Sequence, residues 1–135
     1  MDSLTFFRDF SNGLGVAQVT LWCLFLFRYL FDRNDFLDAS RHKDAALTWT
    51  RAGTVMIGLV MVTLYNPENI LRAEGMLSEL DSFKFLTLAH ILHCIGVSAL
   101  LTAMDLASGG RGNSFPIYVA ITFVPAFGLV WMGYE

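Results

Sequence analysis

Charge is what this sequence has least of. Asp, Glu, Lys and Arg together make up 16 % of its 135 residues, against about 25 % in an ordinary soluble domain. The hydrophobic share is 55 %, with twelve Phe among it, and a chain this short has too much surface for its volume to hide that much apolar area from water. A water-soluble fold is therefore not expected. The net charge is −3, so there is no basic footprint for nucleic acid. Only two cysteines occur, Cys23 and Cys94, and both lie in apolar runs. That argues against a disulfide framework and for two weakly polar, buried thiols. The start Met1-Asp2-Ser3-Leu4 has no positive n-region, and the first apolar stretch runs on without a small-residue cleavage site, so the first span is expected to be retained. The phosphate-cradling and metalloprotease signatures are missing too. No Ser/His/Asp or Cys/His set is convincing: Cys94 follows His93 directly, and side chains one residue apart on a helix diverge. Nothing argues positively for an enzyme.

What is present is four apolar stretches, at about 13–31, 47–65, 85–104 and 115–134. Each approaches the ~20 residues a helix needs to cross ~30 Å of hydrocarbon. In lipid the backbone must satisfy its own hydrogen bonds, and unbroken apolar runs do not fit barrel strands, so these are helices. The expected fold is an all-α membrane protein, a single domain formed as a bundle of about four antiparallel transmembrane helices. Between the spans lie polar connections. The first holds Asp32, Arg33, Asp35, Asp38, Arg41, His42, Lys43 and Asp44; the second opens on Asn66-Pro67, a turn signal; the third contains Gly109-Gly110-Arg111-Gly112-Asn113, a loop by its glycines.

Basic residues set the expected orientation. Arg28, Arg33, Arg41, Lys43, Arg51 and Arg111 flank the first and third connections, against Arg8, Arg72 and Lys84 on the other side. The positive-inside rule then puts those two connections in the cytoplasm and both termini outside, in a plasma (inner) membrane. Tyr29, Trp49 and Tyr118 sit near one expected interface and Tyr65, Trp131 and Tyr134 near the other, as aromatic belts do. The segment 4–10, with Phe6, Phe7 and Phe10, is read either as an interfacial stretch dipped into lipid or as a frayed terminus. Ile70, Leu71, Leu77 and Leu80 suggest a surface helix before the third span.

The third span is the informative one. At 100° per residue, Thr87, His90, Cys94, Ser98 and Asp105 share one stripe. On roughly the opposite side Ala89, Gly96 and Ala103 recur at heptad spacing with Ala99 beside them, a surface that lets another helix approach closely. A helix with a polar face and a tight face belongs in the middle of something. His90 and His93 lie one turn apart, deep in the span, where ionisable groups are costly and often functional. They are read as neutral imidazoles bonded to a neighbouring helix, as a proton or ion relay, or as cofactor ligands for haem or a metal. The last reading lacks partners in this chain, since the remaining histidine, His42, is in a connection and no carboxylate or thiol stands at ligand spacing; no metal site is expected and any cofactor is unknown. Matched depth suggests that Gln18 bonds His90. It also brings Arg28, Arg51 and Asp105 to similar depth, so that Asp105 could pair with Arg51 or Arg28; Arg51 is preferred because Arg51, Thr54, Gly58, Met61 and Tyr65 share a face that would meet the polar stripe, with snorkelling of the arginines as the competing account. Pro125, near the middle of the fourth span, frees the carbonyl of Ile121, so a kink or hinge is expected, with Thr122 one turn before it.

The leading functional expectation is a small oligomeric channel, pore or transporter lined by the third span's polar face; the alternatives are a structural or assembly subunit of a larger membrane complex and a redox subunit carrying haem or a pigment on His90 or His93. A holin-like pore former ranks below these, since that class carries strongly charged tails. The expected partners are the lipid bilayer and either further copies of the chain or a larger membrane complex.

Overall fold

In the computed structural model, residues 1–31, 43–110 and 112–133 are described; Asp32 to His42, Arg111, Tyr134 and Glu135, with the charge and belt assignments made for them, lie outside this set. The described chain is helical throughout: α1 (Ser3–Phe31), α2 (Lys43–Val60), a π turn (Met61–Tyr65), α3 (Asn66–Ala73), α4 (Glu79–Ala107) and α5 (Phe115–Gly133). Helix α2, the π turn and α3 form one continuous rod, so four helices are long and apolar enough to cross a membrane. This is an all-α, four-helix integral membrane protein.

The helices overshoot the apolar runs that announce them. Helices α1 and α4 each have 29 residues, about 43 Å at 1.5 Å per residue, which exceeds the hydrocarbon thickness. The segment 4–10 is part of α1 and is not a frayed terminus. Asp2 caps the helix by accepting the Thr5 amide at 2.7 Å, and that amide holds the Asp2 carboxyl below its usual range. Phe10 then stacks edge-on to Phe127 of α5 at 5.3 Å and lies 6.3 Å from Phe123, so aromatic packing carries the helix past the span.

Nor does a separate surface helix precede α4. Ile70 and Leu71 belong to α3 and Leu80 to the start of α4, with the reversal between them at Gly75, where φ is +71°. Ser78 caps α4 by accepting the Asp81 amide at 3.1 Å. The Asn66-Pro67 turn signal is overridden in the same way. Pro67 has no amide hydrogen to return and its ring presses on the carbonyl four residues back. The turn before it widens to an i→i+5 pattern, with the Asn66 amide donating to the Met61 carbonyl, and the rod continues.

Helix α4 is the centre. Of its most apolar window 56 % is buried, against 17 % in each of the other three spans. Helix α2 packs on α4, and α1 packs on both α4 and α5; the α1 and α2 backbones nowhere approach within 8 Å among the described residues. Glycines set the two tightest crossings. A β-carbon on Gly53 of α2 would lie 2.6 Å from the Gly96 carbonyl of α4, and one on Gly13 of α1 would lie 2.4 Å from the Ala126 Cα of α5. The small face of α4 is thus occupied by α2 within the chain: Gly96 meets Gly53 and Ile57, and Ala89, Ala99 and Ala103 are buried with it. The second crossing falls at Pro125, whose carbonyl would lie 2.5 Å from that same Gly13 β-carbon. Helix α5 continues through the proline to Gly133. Thr122 returns its hydroxyl to the Tyr118 carbonyl at 3.1 Å.

Candidate functional site

Polar side chains gather in two clusters on α4. The first lies in the half of the bundle that holds both ends of the described chain, where Gly133 abuts Asp9 and Met1. Helix α1 contributes Gln18 and Trp22, α4 contributes His90 and His93, and the π turn contributes Tyr65. Val60 is buried, and in a turn of i→i+5 bonds the residue five on returns to the same side. That residue is Tyr65, and so its phenol reaches over α4 towards α1.

The Tyr65 hydroxyl donates to Gln18 Oε1 at 2.9 Å, and His90 Nδ1 lies 2.8 Å from the same oxygen and 2.6 Å from the phenol. An amide oxygen only accepts, so the proton of His90 sits on Nδ1. The pairing of Gln18 with His90 expected from matched depth is present, with Tyr65 as a third member. Trp22 Nε1 donates to His93 Nε2 at 2.8 Å, which puts a lone pair on Nε2 and the proton of a neutral imidazole on Nδ1. That Nδ1 is buried and has no partner among the described residues. An unpaired buried donor costs about 1–3 kcal/mol. The Tyr65 ring stands edge-on to His93, with 5.8 Å between centroids.

The second cluster is at the opposite end. Asp105 of α4 pairs with Arg28 of α1, and its other oxygen accepts from Ser114 at 2.5 Å and from Tyr118 of α5 at 2.8 Å. Arg28 also reaches the Tyr118 oxygen at 3.3 Å. A cleft of about 330 Å³ opens beside it towards Ser108, Gly110, Gly112 and Asn113. The preferred Arg51–Asp105 pair is therefore corrected to Arg28–Asp105. The Gly53–Gly96 crossing rotates α2 so that Ala46, Gly53 and Val60 are buried while Arg51, Thr54, Gly58 and Met61 are exposed; of the face assigned to meet α4, only Tyr65 does so, through the π turn.

Between the clusters, and one turn before the first, the polar stripe of α4 is closed. Thr87 gives its hydroxyl to the Phe83 carbonyl at 2.7 Å, Ser98 to that of Cys94 at 2.7 Å and Thr102 to that of Ser98 at 2.8 Å. The Cys94 thiol faces the Leu14 carbonyl at 3.9 Å. Leu21, Cys94, Val97, Leu101 and Met104, each at most 2 % exposed, form an apolar layer here. Sequence reasoning missed Trp22 and Ser114, and it gave Tyr118 only a place in an interfacial belt; Tyr65 it placed on the face that meets α4, without the bonds to Gln18 and His90. It also missed Glu68, a carboxylate only 3 % exposed that accepts from Ser82 at 2.5 Å and lies 3.4 Å from Arg72, tying α3 to α4. A buried acid and a buried serine fourteen residues apart across a reversal carry no periodic signal.

His90 and His93 project from one helix and each has a ring nitrogen already bonded, and among the described residues no three His, Cys, Asp or Glu converge to hold a metal. No family model, curated protein or solved structure matches this chain.

Proposed function

We propose that this chain is a structural or assembly subunit of a larger membrane complex, whose intramembrane polar residues lock helices together and line no route for a permeant. One observation supports this above the channel reading. The hydroxyls of Ser98 and Thr102 on α4 bond their own helix, and an apolar layer separates the Gln18–Tyr65–His90 and Trp22–His93 contacts from the Arg28–Asp105 cluster. A polar path across a single copy would have to break that layer. Each polar contact instead joins two or three helices, which is what a module held in one shape by its neighbours requires. Basic-residue bias supports an orientation with both termini outside and the first and third connections in the cytoplasm of a plasma (inner) membrane.

Affinity purification of the tagged full chain from its native membrane in mild detergent tests the reading. A stoichiometric partner is expected, with no ion flux when the chain alone is placed in liposomes. Flux that disappears on His90→Leu or Asp105→Leu would overturn it in favour of a pore. A Soret or pigment band in the purified chain would assign the histidines to a chromophore instead.

A further inference from the structure

The face of α2 that turns away from α4 carries three features that lipid does not satisfy. Arg51 is exposed on a membrane-spanning helix, and it has no ion-pair or hydrogen-bond partner among the described residues. Three residues on, Thr54 is also exposed. Thr48, Thr50 and Thr63 of the same rod each return the hydroxyl to a carbonyl one turn back, at 2.9, 2.8 and 2.5 Å; Thr54 makes no such bond among the described residues. Four residues further, Gly58 is exposed with nothing within 4 Å of where its β-carbon would be. Steps of three and four residues put the three on one stripe, and Thr54 with Gly58 forms the small-xxx-small notch at which membrane helices approach closely.

We infer that this stripe docks a transmembrane helix of a different subunit, one bearing an aspartate or glutamate level with Arg51 and an apolar ridge residue that fills the Gly58 notch. The depth favours a helix over a lipid. Gly53 lies against Gly96 and Leu100, and Ala46 clusters with Leu106 and Ala107, so Arg51 stands between those levels near one end of the span. A headgroup phosphate reaches Arg51 there by snorkelling. Thr54 and Gly58 lie one and two turns deeper, where acyl chains offer no acceptor. Among the described residues, charge disfavours a second copy as the occupant. A two-fold axis along the stripe would set Arg51 beside Arg51, and of the described acids Asp105 is held by Arg28, Ser114 and Tyr118 while Asp44 lies two turns away on the same rod. An intramembrane acid on another chain would neutralise the arginine where both are costly to leave unpaired.

The inference rests on the assembly reading, and the test separates the two. The labelled full chain is placed in phosphatidylcholine vesicles with a labelled leucine-based transmembrane peptide of about 22 residues, bearing Asp, Asn or Leu level with Arg51, and association is read by energy transfer. The Asp peptide is expected to associate about tenfold more tightly than the Leu peptide, and Arg51→Leu to remove that difference. Gly58→Leu is expected to weaken both peptides, and Arg51→Asp to restore association with a peptide bearing Arg. These residues are exposed, and unchanged helicity and elution will show that each variant is folded. Equal association of all peptides would overturn the inference. So would Arg51-dependent transfer between two copies of the chain, or an Arg51 effect that appears only on adding phosphatidylglycerol, which would mark a lipid contact. In native membranes, a partner that co-purifies equally with wild type and with Arg51→Leu overturns the docking face and leaves the assembly reading standing. Absence of any partner overturns the assembly reading, and the vesicle result still decides the face.

Discussion

The two polar clusters on α4 join helices by different chemistry. One, built from Gln18, Trp22, Tyr65, His90 and His93, uses neutral groups and single hydrogen bonds of 2.6–2.9 Å. The other pairs full charges, Arg28 with Asp105, and adds Ser114 and Tyr118 as donors to the carboxylate. The difference follows from position. The Arg28–Asp105 pair lies near the last turns of α1 and α4, with side chains 18 % and 19 % exposed, where desolvation is partial. A charge at the level of His90 would have no such relief, and neutral donors and acceptors tie helices there without it. Polarity inside a bilayer thus serves adhesion differently at different depths.

The charged cluster depends most on Asp105. Replacing it by Ala removes the carboxylate that Arg28, Ser114 and Tyr118 share and should destabilise the bundle by about 3 kcal/mol, read from reversible unfolding in detergent micelles. Arg28→Met combined with Asp105→Leu should lose less than the two single changes added together; strict additivity would show that the pair does not act as one. In the neutral cluster Trp22→Phe should cost about 2 kcal/mol, since it leaves both nitrogens of His93 unbonded. A loss as large as that at Asp105 would erase the distinction between the clusters. Tyr65→Phe should cost about 0.6 kcal/mol, because Gln18 and His90 still bond each other. Ser98→Ala should change stability by no more than about 0.5 kcal/mol, for its hydroxyl bonds only its own helix. A larger loss there would mean that the stripe between the clusters also holds helices together.

Much of this architecture is legible in the residue order, and the illegible part has a physical cause. Run length and hydropathy announce four membrane helices, and the two-faced pattern of 85–104 marks the helix that becomes central. Matched depth is enough to bring Gln18 to His90. Rotation about a helix axis is another matter. The 100° rule placed Arg51 and Tyr65 on one face, but Gly53 against Gly96 sets the actual phase of α2, and a widened turn resets it before Tyr65. The polar stripe of α4 looked continuous because Thr87 and Ser98 are polar by composition. Whether such a hydroxyl points outward or bonds the carbonyl one turn back is decided by its rotamer, which no spacing reveals. Pairings such as Glu68 with Ser82 depend on how a reversal brings two rods side by side, and a pattern within one rod does not contain that.

The wide separation of the α1 and α2 backbones bears on how the molecule is made. A ribosome delivers α1 and α2 to the bilayer before α4 exists, and among the described residues the phenol of Tyr65 on Gln18 is the hydrogen bond that links the two early spans. They must wait as independent rods until the third span arrives and gathers both. Biogenesis of this protein therefore turns on one late insertion event, and a chain stalled after residue 73 would leave two uncommitted helices open to capture by insertion chaperones or quality-control proteases.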